Sequence, residues 1–253
     1  MSGFSALDES PSPESLLDYL DATDDSMAAF KAYIVAAAHR YVPGGRVLDL
    51  GCGVGHDLLR LSAAGLVPLG LDSSRLALER ARQAGAALVQ ADGARIPLQT
   101  DSVDGCRVER VLQHVEDPGA VLDEILRVVR PGGFLAVLEP DHTALRVDSD
   151  VVPSGDLPAR CMTARHPGIG SQIAELLRRR SCVVDDIVTE LSFGYDFDAL
   201  PFAAAAVTAA AVLAGKLTST VREAWLHEQR ARSEAGEFRA SWLKVLVVAR
   251  TPG

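Results

Sequence analysis

The segment Val47-Leu48-Asp49-Leu50-Gly51-Cys52-Gly53-Val54-Gly55 narrows the folds open to this chain more than any other. Its first four residues read as a short buried strand, and glycines at 51, 53 and 55 follow at once. Without a Cβ, glycine lets the backbone turn sharply and come close to a bound group. A strand that passes through such a turn into a helix marks the ligand crevice of an open α/β sheet, at the carboxyl ends of its strands. The spacing is G-x-G-x-G. Where a dinucleotide fingerprint needs its third glycine, this chain has His56.

Strand and helix patterns alternate from there. Apolar runs at 46–50, 66–71, 87–91, 103–108 and 134–139 are separated by helical patterns at 55–64, 74–84 and 118–129. Ser73 or Ser74 is placed to cap the second of these helices, and Asp117-Pro118 to open the third. Such alternation predicts a parallel sheet covered on both faces, and right-handed crossovers make it doubly wound. Upstream, Leu16, Leu17, Leu20, Met27, Phe30, Ile34 and Val35 recur at helical spacing and predict one or two helices over 13–40, behind a Ser/Pro-rich, disordered stretch at 1–13. Downstream, 140–170 has no clear period and carries Pro140, Pro153, Pro158 and Pro167. A helix over 171–180, a strand over 182–193, two helices over 198–235 and a last strand over 240–250 are expected to follow. The plan is a helical cap segment over 1–40 and one domain over 41–253, with lid insertions near 140–170 and 195–238.

A chain of 253 residues suits one large α/β domain, and 48% apolar content supplies its core. The net charge of −9 argues against a nucleic-acid partner, whose phosphates demand a basic face. Arginine carries the positive charge, since the only lysines are Lys31, Lys216 and Lys244, and with abundant alanine this is the composition of a GC-rich bacterial genome. The four cysteines form no C-x-x-C pair and no Cys/His cluster has metal spacing, so a reduced, cytoplasmic protein without a metal is expected. No signal peptide is visible, and the Ala-rich stretch at 200–217, broken by Gly215, reads as a buried or cap helix rather than a membrane span.

Polar residues at four strand ends converge on one crevice. Asp49 would repel a pyrophosphate and better suits a cationic ligand, such as a sulfonium amino acid with its ammonium group. Asp72, after the second strand, can accept bonds from both hydroxyls of a ribose, leaving Ser73 and Ser74 to cap the helix. Asp92, after the third, can hold the exocyclic amine of adenine while the N–H of Gly93 meets a ring nitrogen; the alternative is a plain Asp-Gly turn. The stretch from Glu109 to His114 follows the fourth strand. His114 is the first candidate base, because an imidazole titrating at about 6.5 accepts a proton near neutrality. Its alternative role is a positioning hydrogen bond. His142 is the second candidate, and Glu139, Asp141 and His166 are further ones.

Taken together, the 47–55 segment, Gly70-Leu71-Asp72-Ser73-Ser74, Ala91-Asp92-Gly93-Ala94-Arg95-Ile96-Pro97-Leu98, Asp101-Ser102-Val103-Asp104 and Leu126-Arg127-Val128-Val129-Arg130-Pro131-Gly132-Gly133 resemble a known family. It is the class I S-adenosylmethionine-dependent methyltransferases of the ubiquinone/menaquinone-biosynthesis type (methyltransferase type 11), and the resemblance is strong over 40–140. It implies a seven-stranded, mostly parallel sheet with an antiparallel last strand. It implies S-adenosyl-L-methionine as cofactor and S-adenosyl-L-homocysteine as product, bound by Asp49, Gly51, Cys52, Gly53, Asp72, Ser73, Asp92 and Gly93. Backbone carbonyls near Glu109 and Arg110 would take the ammonium group, and Tyr19 would close over the cofactor. The nucleic-acid amino-methylases carry Asn/Asp-Pro-Pro-Tyr/Phe after the fourth strand, and this chain does not.

The expected acceptor is therefore a small organic molecule, a secondary metabolite or quinone-like ring, methylated on O, N or C. Phe4, Phe30, Phe193, Tyr195, Phe197, Phe202 and Trp225 are candidates either for its pocket or for plain core packing. A nicotinamide-dependent oxidoreductase and a non-catalytic cofactor-binding module on the same fold are the alternative readings. The sequence leaves the oligomeric state open.

Overall fold

Strands form where the apolar runs predict them in the computed structural model, which describes residues 7–253 except 11, 163, 199, 201–207, 209–210 and 213. They are β1 (Arg46–Leu50), β2 (Val67–Asp72), β3 (Ala87–Gln90), β4 (Val103–Glu109), β5 (Val129–Val147), β6 (Val183–Gly194) and β7 (Ala240–Arg250). They join one sheet in the order β3-β2-β1-β4-β5-β7-β6. The first five strands pair in parallel, and β7 runs antiparallel between β5 and β6. The chain leaves β1 to one side for β2 and β3 and returns to its other side for β4. That reversal opens a crevice at the carboxyl ends of β1 and β4.

Eight helices are described: α1 (Pro13–Thr23), α2 (Ala28–Tyr41), α3 (His56–Ala63), α4 (Arg75–Ala81), α5 (Pro118–Val128), α6 (Leu157–Cys161), α7 (Ile169–Arg178) and α8 (Ser219–Glu234). A 3-10 turn, Asp24–Met27, separates α1 from α2. Ser74 caps α4 by accepting the N–H of Ala77, and Asp117 caps α5 by accepting those of Gly119 and Ala120. The period of two along each strand sorts the core into two layers. Leu48, Leu50, Leu135, Val137 and Val247 meet Val121, Leu122 and Ile125 of α5 and Ile173 and Leu177 of α7. Val47, Phe134, Ala136, Leu138, Leu246 and Val248 meet Phe30, Ile34 and Ala38 of α2 and Leu61 of α3. A third cluster joins Leu145 and Val147 to Leu157 and Cys161 of α6, Trp225 and Leu226 of α8, and Phe238.

β5 does not stop at 139, as the aperiodic reading of 140–170 implied. It continues beside β7 through Pro140 and Asp141 and, after an irregularity, through Arg146 and Val147. Pro140 is tolerated there because Leu138 accepts the N–H of Arg110 on the β4 side of the strand. Two residues on, Pro140 turns its backbone to that same side, where β4 has already ended, so no ladder bond is lost. The helix α6 was not expected, and α7 begins two residues earlier than its periodicity suggested. Of the two helices expected over 198–235, α8 is present and the first lies mostly outside the described residues, as do Phe4, Phe202 and most of the stretch expected to be disordered. No helix among the described residues is long and apolar enough to cross a membrane.

Candidate active site

A cavity of about 700 Å³ opens at the carboxyl ends of the central strands, with α1 along one side. The glycine loop crosses toward β2: the N–H groups of Gly51 and Cys52 both donate to the Leu71 carbonyl, at 2.7 and 3.0 Å. Next, Gly53 N–H donates to Asp72 Oδ2 at 2.9 Å, and Ser74 N–H donates to Asp72 Oδ1 at 2.8 Å. One carboxylate thus ties the loop after β1 to the turn after β2 and also faces the cavity. Burial pushes its carboxyl above the usual range, while the Ser74 and Gly53 N–H groups pull the other way. Gly51 has a φ of +73°, and a Cβ there would lie 2.2 Å from Val111 Cγ2, so no other residue fits this position. Cys52, Ser73, Asp92 and Gly93 line the same end. Asp92 is exposed and accepts the N–H of Ala94 at 2.9 Å, and burial pushes the Cys52 thiol up.

Asp49 does not reach the cavity wall. It is fully buried behind it, opposite Arg107 in the β1–β4 register and 2.6 Å from that guanidinium. Burial raises its carboxyl to about 6 against the pull of Arg107, and its Oδ2 takes no hydrogen bond. Arg107 also meets Asp57 at 3.0 Å and Glu109. Lys31 of α2 bonds Asp24 at 2.8 Å and Asp57 at 2.6 Å and lies 3.3 Å from Glu109. Arg60 reaches Asp24 and Asp57, and Arg110 reaches Glu109. Four acids (Asp24, Asp49, Asp57, Glu109) therefore balance four cations (Lys31, Arg60, Arg107, Arg110) in and behind the cavity wall. Asp24, despite its burial, is held down to about 2 by Arg60 and Lys31. Sequence reasoning missed Lys31, Arg107, Asp24 and Asp57. The available signal was that Lys31 sits in phase with Met27 and Ile34 on the buried stripe of α2.

Glu139 accepts the N–H groups of Val111 and Leu112 at 2.7 and 2.6 Å and so shapes the loop after β4. It is completely buried, its carboxyl is pushed up to about 8 by that burial, and it does not line the cavity. That removes it from the candidate bases. Asp141 is engaged by Thr143 and Ser171. His114 and His142 both line the cavity. Burial lowers each to about 4, with His142 and Arg110 adding to the effect on His114, so both are neutral at pH 7. His142 Nε2 lies 2.7 Å from Gln113 Oε1. With the amide oxygen as acceptor, Nε2 carries the hydrogen and Nδ1 the lone pair. His166 pins its own segment, its Nε2 lying 3.2 Å from the Val115 carbonyl, and does not line the cavity.

Tyr19 of α1 does line it, and burial raises its hydroxyl. Arg110, at a φ of +55°, donates to Thr23 Oγ1 at 3.0 Å and so joins α1 to the loop after β4. Of the aromatic candidates for pocket or core, none of the described ones lines the cavity. Phe30 packs beneath the sheet, Phe197 meets Trp225 and Phe238 edge-on in the third cluster, and Phe193 and Tyr195 are exposed. The apolar wall beside the histidines is Leu145, Met162, Trp242 and Leu243 instead.

A family model described as a methyltransferase domain matches residues 48–137. A Streptomyces fradiae relative, an uncharacterized 37.1 kDa protein in transposon TN4556, is 35% identical over 96% of this chain and 72% of its own length. The chain belongs to the class I S-adenosylmethionine-dependent methyltransferases. Within that class it is similar to the demethylmenaquinone methyltransferase of Corynebacterium kroppenstedtii, 37% identical over 43% of this chain. The match spans about half of that relative's length, 48%. The YcgJ protein of Bacillus subtilis has a similar fold, with a TM-score of 0.61 at 16% identity, covering 88% of this chain and 98% of that one. The family match ends inside β5, so it bears on the glycine-loop half of the cavity and not on the half walled by Met162 and Trp242.

Proposed function

We propose that this chain transfers the methyl group of S-adenosylmethionine to a small organic acceptor lying beside His114 and His142. The observation that carries this reading is Asp72, a half-buried carboxylate fixed by Gly53 and Ser74 and facing a cavity continuous with both histidines. The residues present fit the cofactor. Each Asp72 oxygen keeps a lone pair for a ribose hydroxyl, and the glycine loop leaves backbone rather than side chains at the wall. Asp92 and Gly93 would hold the adenine edge, with Ser73 and Cys52 beside it. Carbonyls near Glu109 and Arg110 would take the ammonium group, and Tyr19 would cover it. The bound cofactor supplies a methyl group on a sulfonium, already activated for displacement.

The protein's share is alignment, exclusion of water and control of a proton. A neutral His142 or His114 can accept a hydrogen bond from a hydroxyl or amine acceptor and take its proton as the acceptor reacts. The apolar wall suits a quinone-like ring or a secondary metabolite methylated on O, N or C. All four cysteines are free and buried, in keeping with action in the cytoplasm.

Thermal-shift measurements with S-adenosylhomocysteine and with NADH test the reading side by side. A ligand that binds only the folded state raises its melting temperature. S-adenosylhomocysteine is expected to raise it by several degrees and NADH to leave it unchanged. The reverse result restores the oxidoreductase reading, and no shift with either favours a module that has lost its cofactor.

A further inference from the structure

We propose that the acceptor carries a carboxylate, which pairs with Arg165 at the outer edge of the acceptor half of the cavity. The inference rests on the methyltransferase reading above and names the substrate class for the same site. Arg165 is exposed and lines the cavity, and among the described residues its guanidinium makes no hydrogen bond or ion pair. The other cations on that side are committed. Lys244 is buried and held by Glu190 at 2.8 Å, and Lys31, Arg107 and Arg110 belong to the balanced network. Arg95 stands at the opposite end, beside Asp92.

The segment that carries Arg165 is fixed over the strand ends. The His142 N–H donates to the Pro167 carbonyl at 2.7 Å, and the His166 N–H donates to the Gln113 carbonyl at 3.1 Å. Arg165 is thus presented from a backbone stitched to the loops that hold both histidines. The same cavity carries the apolar wall of Leu145, Met162, Trp242 and Leu243. One free guanidinium beyond an apolar wall matches an apolar body with a single planar anion, which a carboxylate supplies and the guanidinium fork recognises. The histidines are neutral, and Asp141 keeps its negative charge but turns its oxygens to Thr143 and Ser171. Two acids also border the cavity near this segment. Asp117, which caps α5, and Glu116 both carry charge that works against an anion, and Arg165 has to outweigh it.

The test is calorimetry on the protein saturated with S-adenosylhomocysteine, titrated with 2-naphthoate and with its neutral isostere 2-naphthamide. Naphthoate is expected to bind about fivefold tighter or better, as a charge-assisted bond would give. Arg165→Gln is expected to abolish that preference and leave S-adenosylhomocysteine affinity unchanged, and Glu116→Gln to preserve or strengthen it. Equal binding of the two probes, a preference that survives Arg165→Gln, or binding of neither probe overturns the proposal. If S-adenosylhomocysteine itself does not bind, the methyltransferase reading fails separately, and the same titrations on the free protein still decide the role of Arg165.

Discussion

The ammonium of Lys31 lies 2.6 Å from Asp57 Oδ2, joining α2 to the helix that the glycine loop opens. Both side chains are nearly enclosed, at 3% and 10% exposure, so neither charge can be solvated if the other is removed. Lys31→Met should therefore destabilise the fold by about 3 kcal/mol, the usual cost of breaking a buried ion pair from one side. Urea unfolding at neutral pH measures it. Arg80→Ala is the comparison, because its partners Glu14 and Asp18 are well exposed and solvent screens such pairs. A Lys31→Met cost no larger than that of Arg80→Ala contradicts the network.

Gly51→Ala is expected to be costly for two separable reasons. The φ of +73° penalises any Cβ by about 1–2 kcal/mol, and the new methyl group would lie 2.2 Å from Val111 Cγ2. The double variant Gly51→Ala/Val111→Ala relieves the clash and not the backbone cost. It should recover part of the stability and part of the S-adenosylhomocysteine affinity, as read by unfolding and calorimetry. Full recovery would show that backbone conformation is not what selects glycine here.

Stability should depend on pH through Glu139 and the histidines with opposite signs. Folded Glu139 keeps its proton to about pH 8, against an ordinary carboxyl value of 4.5. The folded state binds the extra proton between those values, so this contribution is complete below about 4.5 and is lost as pH rises through 8. Glu139→Gln removes the titration. The variant should gain on the parent protein between about pH 4.5 and 8, by at most about 1.4 kcal/mol per pH unit, and level off above. His114 and His142 titrate near 4 when folded, against 6.5 ordinarily. Their contribution is present above 6.5 and lost as pH falls toward 4, and His142→Asn should flatten that acid limb. Urea midpoints across pH 4–9 report both trends.

Local rules were enough for the sheet's framework. The bounds of β1 and β7 agree with their apolar runs, and Ser74 and Asp117 cap the helices their neighbours announced. The ends of β1, β2 and β4 bring Gly51, Asp72 and His114 to one cavity, as strand topology requires. What escaped the sequence depends on residues far apart in it. Asp49 reads as a ligand contact until Arg107, 58 residues away, is seen to occupy it. Pro140 reads as a strand breaker until the end of β4 leaves its missing N–H without consequence. Phe197 and Trp225 read equally as pocket or core until Phe238 packs beside them, and Trp242 reads only as part of a strand. Arg165, in a segment without period, gains meaning only from the backbone bonds that set it over the histidines.

Calorimetric titration of S-adenosylhomocysteine into the parent protein, Asp72→Asn and Asp72→Ala bears most directly on the central claim. Asp72→Asn keeps the side chain's shape and one oxygen acceptor, which separates loss of the ribose contact from collapse of the loop. Thermal unfolding of each variant confirms that the fold survives. The parent is expected to bind, and each variant to bind at least roughly tenfold more weakly, the lower range for losing hydrogen bonds to a charged group. Equal affinity across the three proteins would contradict the assignment of this crevice to the cofactor.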